Sequence, residues 1–263
     1  MLINSVILVL REVLEAAILV TALLALARIT RLGFAWLWPA VVVSLLGVFT
    51  LAAVLGAVTD MLDGTGQEVT NAALQFGVFL LVCAVIVDVR EREDGRRYSH
   101  STGYLMALAV ALAATREGSE ILLYVQGFAG IDQYRQSVLL GSALGAGIGV
   151  SAGTLCYWAL VSRPGRRAFV FCLASLCLLA AGMVMQAAML LDQAGWIVSP
   201  SPVWDSNWLL SEDSITGELL NAVLGYEATP NAVELGLYLG SLALVTIASV
   251  YAARPWVSGE KGL

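Results

Sequence analysis

Two five-residue stretches concentrate the chemistry of this sequence: Arg11-Glu12-Val13-Leu14-Glu15 and Arg116-Glu117-Gly118-Ser119-Glu120. In each, an arginine is followed by two glutamates three positions apart. On a helix that spacing puts both carboxylates on one face, with the arginine four residues before the second glutamate and within pairing reach. Glu12, Glu15, Glu117 and Glu120 stand against only Arg11 and Arg116, a net negative cluster that a bound cation would balance. Carboxylate oxygens are hard ligands, suited to magnesium, calcium, manganese or oxidised iron and less to copper(I) or zinc. The chain has one histidine, His100, so an imidazole site is excluded. Ligand chemistry alone leaves the choice among hard cations open.

The elements that carry these boxes must be solvated by lipid. Of 263 residues, 59% are hydrophobic and 13% charged, with a mean hydropathy of +0.83. A soluble domain carries roughly a quarter charged residues. A helix needs roughly 20 mostly apolar residues to cross the hydrocarbon. Seven such stretches are present, at about 2–27, 35–59, 71–89, 101–125, 138–161, 168–192 and 232–253. The first lacks the basic start and cleavage site of a signal peptide and holds a box, so it reads as a span. Each charged box residue would cost about 2.5–3.5 kcal/mol at the bilayer centre. Groups that costly face a bundle interior or an aqueous cavity, pair with one another, and mark an ion path.

Basic residues set the orientation. Arg28 and Arg31 follow the first stretch, Arg90, Arg92, Arg96 and Arg97 the third, Arg163, Arg166 and Arg167 the fifth, and Arg254 and Lys261 the last. Only Arg135 falls in a loop on the other side. The positive-inside rule then predicts an outside N-terminus and a cytoplasmic C-terminus. All seven tryptophans fall at span ends or in loops, the level that such rings favour.

The boxes lie 105 residues apart, in the first and fourth stretches, which run in opposite directions. Two three-span units of inverted orientation are implied, an architecture common among secondary transporters. The fold class predicted is all-α: a polytopic membrane protein with seven transmembrane helices, two inverted three-helix repeats plus one extra helix. Residues 1–263 form a single transmembrane domain, with repeats at 1–97 and 98–192, an outer loop at 193–231, a seventh helix at 232–253 and a tail at 254–263. The boxes are expected to cross near the outer half of the membrane.

Other features rank lower. Gly141, Gly145, Gly149 and Gly153 recur every four residues, which lines one helix face for close contact with a neighbour and is compatible with a homo-oligomer. Cys83, Cys156, Cys172 and Cys177 sit in apolar stretches and read as small buried hydrophobes. Gln75, Asp88, Gln186 and Asp192 are polar residues in or near spans, equally suited to a path or to interhelical hydrogen bonds. The outer loop holds Asp205, Glu212 and Asp213 and has no lysine or arginine, so that an acidic mouth would gather cations.

REVLE and REGSE resemble the paired R-E-G-L-E motifs of the iron permease family, which includes the fungal high-affinity iron permeases and the permease of the bacterial Efe-type ferrous iron uptake system. Ala181-Gly-Met-Val-Met-Gln186 with Gly195-Trp196 is similar to the family's sixth-span pattern. Val203-Trp-Asp205, Ser214, Gly217-Glu-Leu-Leu220, Gly225-Tyr226, Pro230 and Tyr238 resemble its C-terminal signature. Val13 and Ser119 depart from the motif, while all six charged positions match. The resemblance implies a permease of the cell (inner) membrane that moves iron into the cytoplasm, as ferric iron after oxidation of ferrous iron by a partner. It implies metal ligation by Glu12, Glu15, Glu117 and Glu120, with Arg11 and Arg116 holding the carboxylates apart. Iron would be substrate, with no permanently bound cofactor. Partners would be membrane lipid and separate periplasmic or extracellular iron-binding and iron-oxidising proteins, not nucleic acid. Lead or manganese on the same scaffold is the alternative cargo. An enzyme is not expected, since the H-E-x-x-H of zinc proteases is absent.

Overall fold

The computed structural model describes residues 1–90, 100–163, 165–197, 201–212 and 214–258. They form eight helices: α1 (Leu2–Ile29), α2 (Leu37–Met61), α3 (Gly66–Arg90), α4 (His100–Ala129), α5 (Asp132–Val161), α6 (Gly165–Gln193), α7 (Ile215–Leu224) and α8 (Ala232–Ser258). Among the described residues no strand is present. The seven long helices coincide with the seven apolar stretches, and α7 is a short helix within the segment 193–231. Five of them, α2, α3, α5, α6 and α8, are long and apolar enough to cross a membrane. The other two long helices, α1 and α4, are the ones that carry the boxes. Every 18-residue window of α1 includes three of Arg11, Glu12, Glu15 and Arg28, which is why hydropathy alone passes it over.

The helices sort into an inner and an outer set. The apolar window of α6 is 72% buried, against 17% for those of α2 and α8. Leucine, isoleucine, valine and phenylalanine on the outer helices face outward, among them Leu46 and Phe49 on α2, Leu144 and Leu155 on α5, and Ile247 on α8. This is the surface lipid would cover. Inside, α1, α3, α4 and α6 share one core built from residues such as Leu23, Leu26, Val82, Ile86, Met106, Val110, Phe169 and Leu176. Most of it lies C-terminal to the box on α1 and N-terminal to the box on α4, so an apolar layer fills the bundle on one side of the boxes.

Helix pairing is regular. α1 packs on α5 and α4 on α2; α1 on α6 and α4 on α3; α2 on α3 and α5 on α6; and α1 meets α4 as α3 meets α6. Each of these pairs maps onto another, or onto itself, when the first three helices are exchanged with the next three; the contact of α4 with α5 is the exception, because among the described residues α1 does not pack on α2.

The four-residue glycine interval finds its partner in α1. Gly141, Gly145, Gly149 and Gly153 are all buried. A Cβ on Gly145 would stand 2.5 Å from the Val6 carbonyl oxygen and 2.9 Å from the Leu10 nitrogen; one on Gly153 would stand 2.7 Å from Ala17 Cβ. Bare backbone therefore lets α5 lie directly on the segment of α1 that bears the first box. Cys172 and Cys177 are buried and free. Of the tryptophans, Trp36 is buried at the start of α2 rather than at a surface, while Trp38, Trp158, Trp196, Trp204 and Trp208 are exposed.

Candidate functional site

α1 and α4 run antiparallel where they meet, since Ser5 Oγ lies 2.7 Å from Tyr124 Oη while Glu15 pairs with Arg116. At 1.5 Å per residue, Glu12 sits about 15 Å from the start of α1 and Glu117 about 18 Å from the end of α4. The two boxes thus share one depth in the bundle.

Arg116 joins them. It is buried, and its Nη1 donates to Glu15 Oε2 across the helix pair at 3.0 Å and to its neighbour Glu117 Oε1 at 2.6 Å. Its Nε lies 3.4 Å from Glu120 Oε1, within ion-pair range. Arg11 Nε donates to Glu15 Oε1 at 3.4 Å and stands 4.0 Å from Glu12 Oε1. Glu15 is therefore held between both arginines. A fork of fixed N–H donors suits this bridging in a way that a lysine ammonium would not.

The remaining three carboxylates converge. Glu12, Glu117 and Glu120 each offer an oxygen, and these oxygens lie within 4.8 Å of one another. Two oxygens bound to one hard cation at about 2.0–2.6 Å stand at most about 4–5 Å apart, so the triad is already near ligating distance. Glu12 Oε2 is buried without a hydrogen-bond partner, acceptor capacity that a cation would use. Of the four predicted ligands, the structure brings three together and binds the fourth, Glu15, to the arginines.

Access differs on the two sides. The Arg11 and Glu120 side chains are 34% and 24% exposed, while those of Glu12, Glu117 and Arg116 are nearly sealed. The site is thus reached from the end of the bundle where α1 begins. A cavity of about 410 Å³ between α1, α4 and α5 borders Glu12 and Glu117 and is otherwise lined mainly by small and apolar residues such as Ala16, Ala17, Gly118 and Gly153.

Asn71, on α3, was not singled out by sequence reasoning; its Nδ2 donates to Glu120 Oε1 at 2.8 Å. A buried amide opening an apolar stretch was the available signal. Gly47 on α2 leaves no room for a Cβ against Thr115, the residue before Arg116. The second box is thereby backed by α2 as the first is by α5.

The second-rank residues divide. Gln75 Nε2 donates to Gln186 Oε1, tying α3 to α6, and Gln75 also lines a small cavity with Arg116 and Glu117. Asp88, 13 positions beyond Gln75 on α3, accepts from Ser101 and Thr102 at the start of α4, about 20 Å from Gln75 along the helix. Asp192 lies in the last turn of α6, where the segment 193–231 begins. There, Asp205 Oδ1 accepts from the Asn207 amide at 2.9 Å, and Glu212 Oε1 accepts from the Ala228 and Thr229 amides. Each thus braces its own loop. Asp213 lies outside the described residues. Burial, then repulsion from Glu234 and Glu212, pushes the nearby Glu227 carboxyl up to about 8.

Comparison with known proteins matches residues 69–258 to the model of the iron permease FTR1 family. That span holds the second box and leaves the first outside it. A relative aligned over nearly the whole chain covers both. A ferrous iron permease EfeU of Escherichia coli O6:H1 is 24% identical, over 97% of this chain and 98% of its own length. Those of Shigella sonnei and Yersinia pestis are 25% and 22% identical, each over 87% of this chain and 88% and 86% of their own lengths. No solved structure matches this chain.

Proposed function

The chain belongs to the iron permease FTR1 family, and from that premise we propose that it carries iron through the cell membrane by way of the two R-E-x-x-E boxes. One observation carries the reading: Glu12, Glu117 and Glu120 from both boxes bring oxygens within 4.8 Å of one another in the bundle interior. In this reading the three carboxylates form the first resting place of the ion. Glu15 is a reserve ligand, released when the ion's positive charge repels Arg116 from it. With all four carboxylates ionised the boxes carry a formal charge of −2, which a multivalent cation offsets and a monovalent one leaves uncompensated.

The ion enters from the outside, where Arg11 and Glu120 are partly open, and leaves toward the cytoplasm through the apolar layer. Passage therefore requires the inner helices to part on that side. The exchange of neighbours between the first three helices and the next three supports an inverted repeat, which supplies two equivalent packings for such a step. The proposal includes seven spans, an outside N-terminus, and delivery of iron in the ferric state by a separate oxidising partner. The relatives are named for ferrous iron, so the oxidation state is tested directly.

The protein in reconstituted vesicles is given ferrous iron under anaerobic conditions, or ferric iron as a soluble chelate, with manganese or lead as competitors. The reading predicts saturable iron uptake that resists excess manganese and lead and falls at least tenfold in the Glu15→Gln/Glu120→Gln double variant. Normal uptake by that variant would sink the role of the boxes, and preferential manganese or lead uptake would sink iron as cargo.

A further inference from the structure

Behind the carboxylate triad, on the side of α3 and α6, lies a second and much smaller space of about 10 Å³, lined by Gln75, Arg116 and Glu117 together with apolar residues including Val78, Leu112 and Met183. The three polar residues are 3%, 5% and 4% exposed. Each has one polar atom that is buried and without a hydrogen-bond partner: Gln75 Oε1, Arg116 Nε and Glu117 Oε2. A space of this size holds one water, and buried waters make about three hydrogen bonds to groups that otherwise lack partners. The donor count also closes. A water has two O–H groups for the Gln75 and Glu117 oxygens, and a lone pair for the Arg116 N–H.

The orientation of Gln75 is fixed from the other side. Its amide nitrogen is committed to Gln186 Oε1, which leaves its carbonyl oxygen as the end without a partner. Gln186 Nε2 in turn donates to the Asn221 carbonyl on α7 at 3.2 Å. Asn221 Nδ2 donates to the Tyr226 carbonyl at 2.9 Å. An unbroken polar line thus runs from the outer segment through α6 and α3 to this cavity.

We propose that Gln75 positions Glu117 for metal through one buried water, held by Gln75 Oε1, Glu117 Oε2 and Arg116 Nε, with Gln186 and Asn221 fixing Gln75 in turn. This deepens the function proposed above and rests on it. Gln75 touches no metal in this arrangement and acts through Glu117, so it is a positioning residue. Both faces of its amide are used, one as donor and one as acceptor, so neither a methionine nor a leucine of similar size replaces it.

Two measurements test this. Initial rates of iron uptake against iron concentration are compared for wild type and Gln75→Met in reconstituted vesicles. The KM rises about 10- to 140-fold, the range expected when one buried hydrogen bond to a charged group is lost, and the change falls on KM rather than on the maximal rate. A residue that only tied α3 to α6 would lower the yield of folded protein and leave KM alone, so an unchanged KM overturns the proposal. Electron cryo-microscopy of the wild-type protein, at a resolution that reveals ordered water, is the second measurement. Density within hydrogen-bond distance of the three named atoms supports the proposal, and its absence overturns it whether or not the variant folds. Wild-type protein that moves no iron would instead refute the transport reading, and the density would still decide the water.

Discussion

Replacing Arg116 with methionine tests how the boxes manage their charge. Methionine keeps the apolar stem and reaches about as far as Arg116 Nε, so the main change is loss of the guanidinium. That group donates to Glu15 at 3.0 Å and to Glu117 at 2.6 Å and lies 3.4 Å from Glu120, with 6% of its side chain exposed. At that burial, solvent does little to screen the charges left behind. Removing one partner of a buried ion pair costs about 3–5 kcal/mol, because the other is stranded. Here three carboxylates lose a partner, and Glu15 keeps only Arg11. We expect the iron-free variant to lose about 3–5 kcal/mol of stability. A cation on the triad replaces the lost positive charge, so iron should rescue the variant by more than it stabilises wild type. Saturation at about a hundred times Kd contributes about 2.7 kcal/mol in any protein, and the variant should exceed its wild-type counterpart. Thermal unfolding in detergent, with and without iron, reads both quantities. A loss below about 1 kcal/mol, or one that iron does not lessen, would refute the claim that Arg116 and the metal neutralise the same carboxylates.

Two further predictions concern what surrounds the site. Gly145→Val puts side-chain atoms where a Cβ alone would be 2.5 Å from the Val6 carbonyl, and overpacking of this kind costs about 1–3 kcal/mol. It should also weaken iron binding by displacing Glu12, whereas Gly147→Ala on the same helix, with nothing within 4 Å of its Cβ, should do neither; unfolding and binding measured together separate the two. Glu227 holds its proton up to about 8 in the folded outer segment, against an ordinary value near 4.5. Between those values the folded form binds more protons than the unfolded, so stability falls as pH rises, and the change is complete above about 8. Protection from hydrogen exchange in residues 201–231, taken relative to the intrinsic rate at each pH, should accordingly fall from pH 5 to pH 8 in wild type and less so in Glu227→Gln; equal slopes would show that another group is responsible.

Much of the fold was legible because lipid imposes a simple rule. Long apolar runs become helices, and turn residues and basic clusters break them, so the seven stretches coincide with the long helices to within a few residues. The boxes were legible for the converse reason, as charges in apolar runs stand out. Pairing across helices was not legible. The Arg11–Glu15 pair follows from helical spacing alone, but the Arg116–Glu15 pair joins residues 101 positions apart and depends on the point where α1 crosses α4. The same geometry takes Glu15 out of the ligating triad and brings Asn71 to Glu120. The glycine interval on α5 revealed a close-packed face but not its partner, α1. Gln75 and Gln186 were visible as polar residues in spans, and only the packing of α3 on α6 made them a pair. Asp205 and Glu212 read as candidate capture ligands, while the structure engages both in bracing their own loops.

The most direct test of the account is iron uptake into sealed vesicles by the Glu12→Gln/Glu117→Gln variant, with the folded protein in the membrane quantified alongside. These two side chains come from different boxes, lie in the buried triad, and have carboxylate oxygens without hydrogen-bond partners. Their amides keep the size and remove the charge. Uptake is expected to fall at least a hundredfold while the amount of folded protein holds. Uptake at the wild-type rate would contradict it.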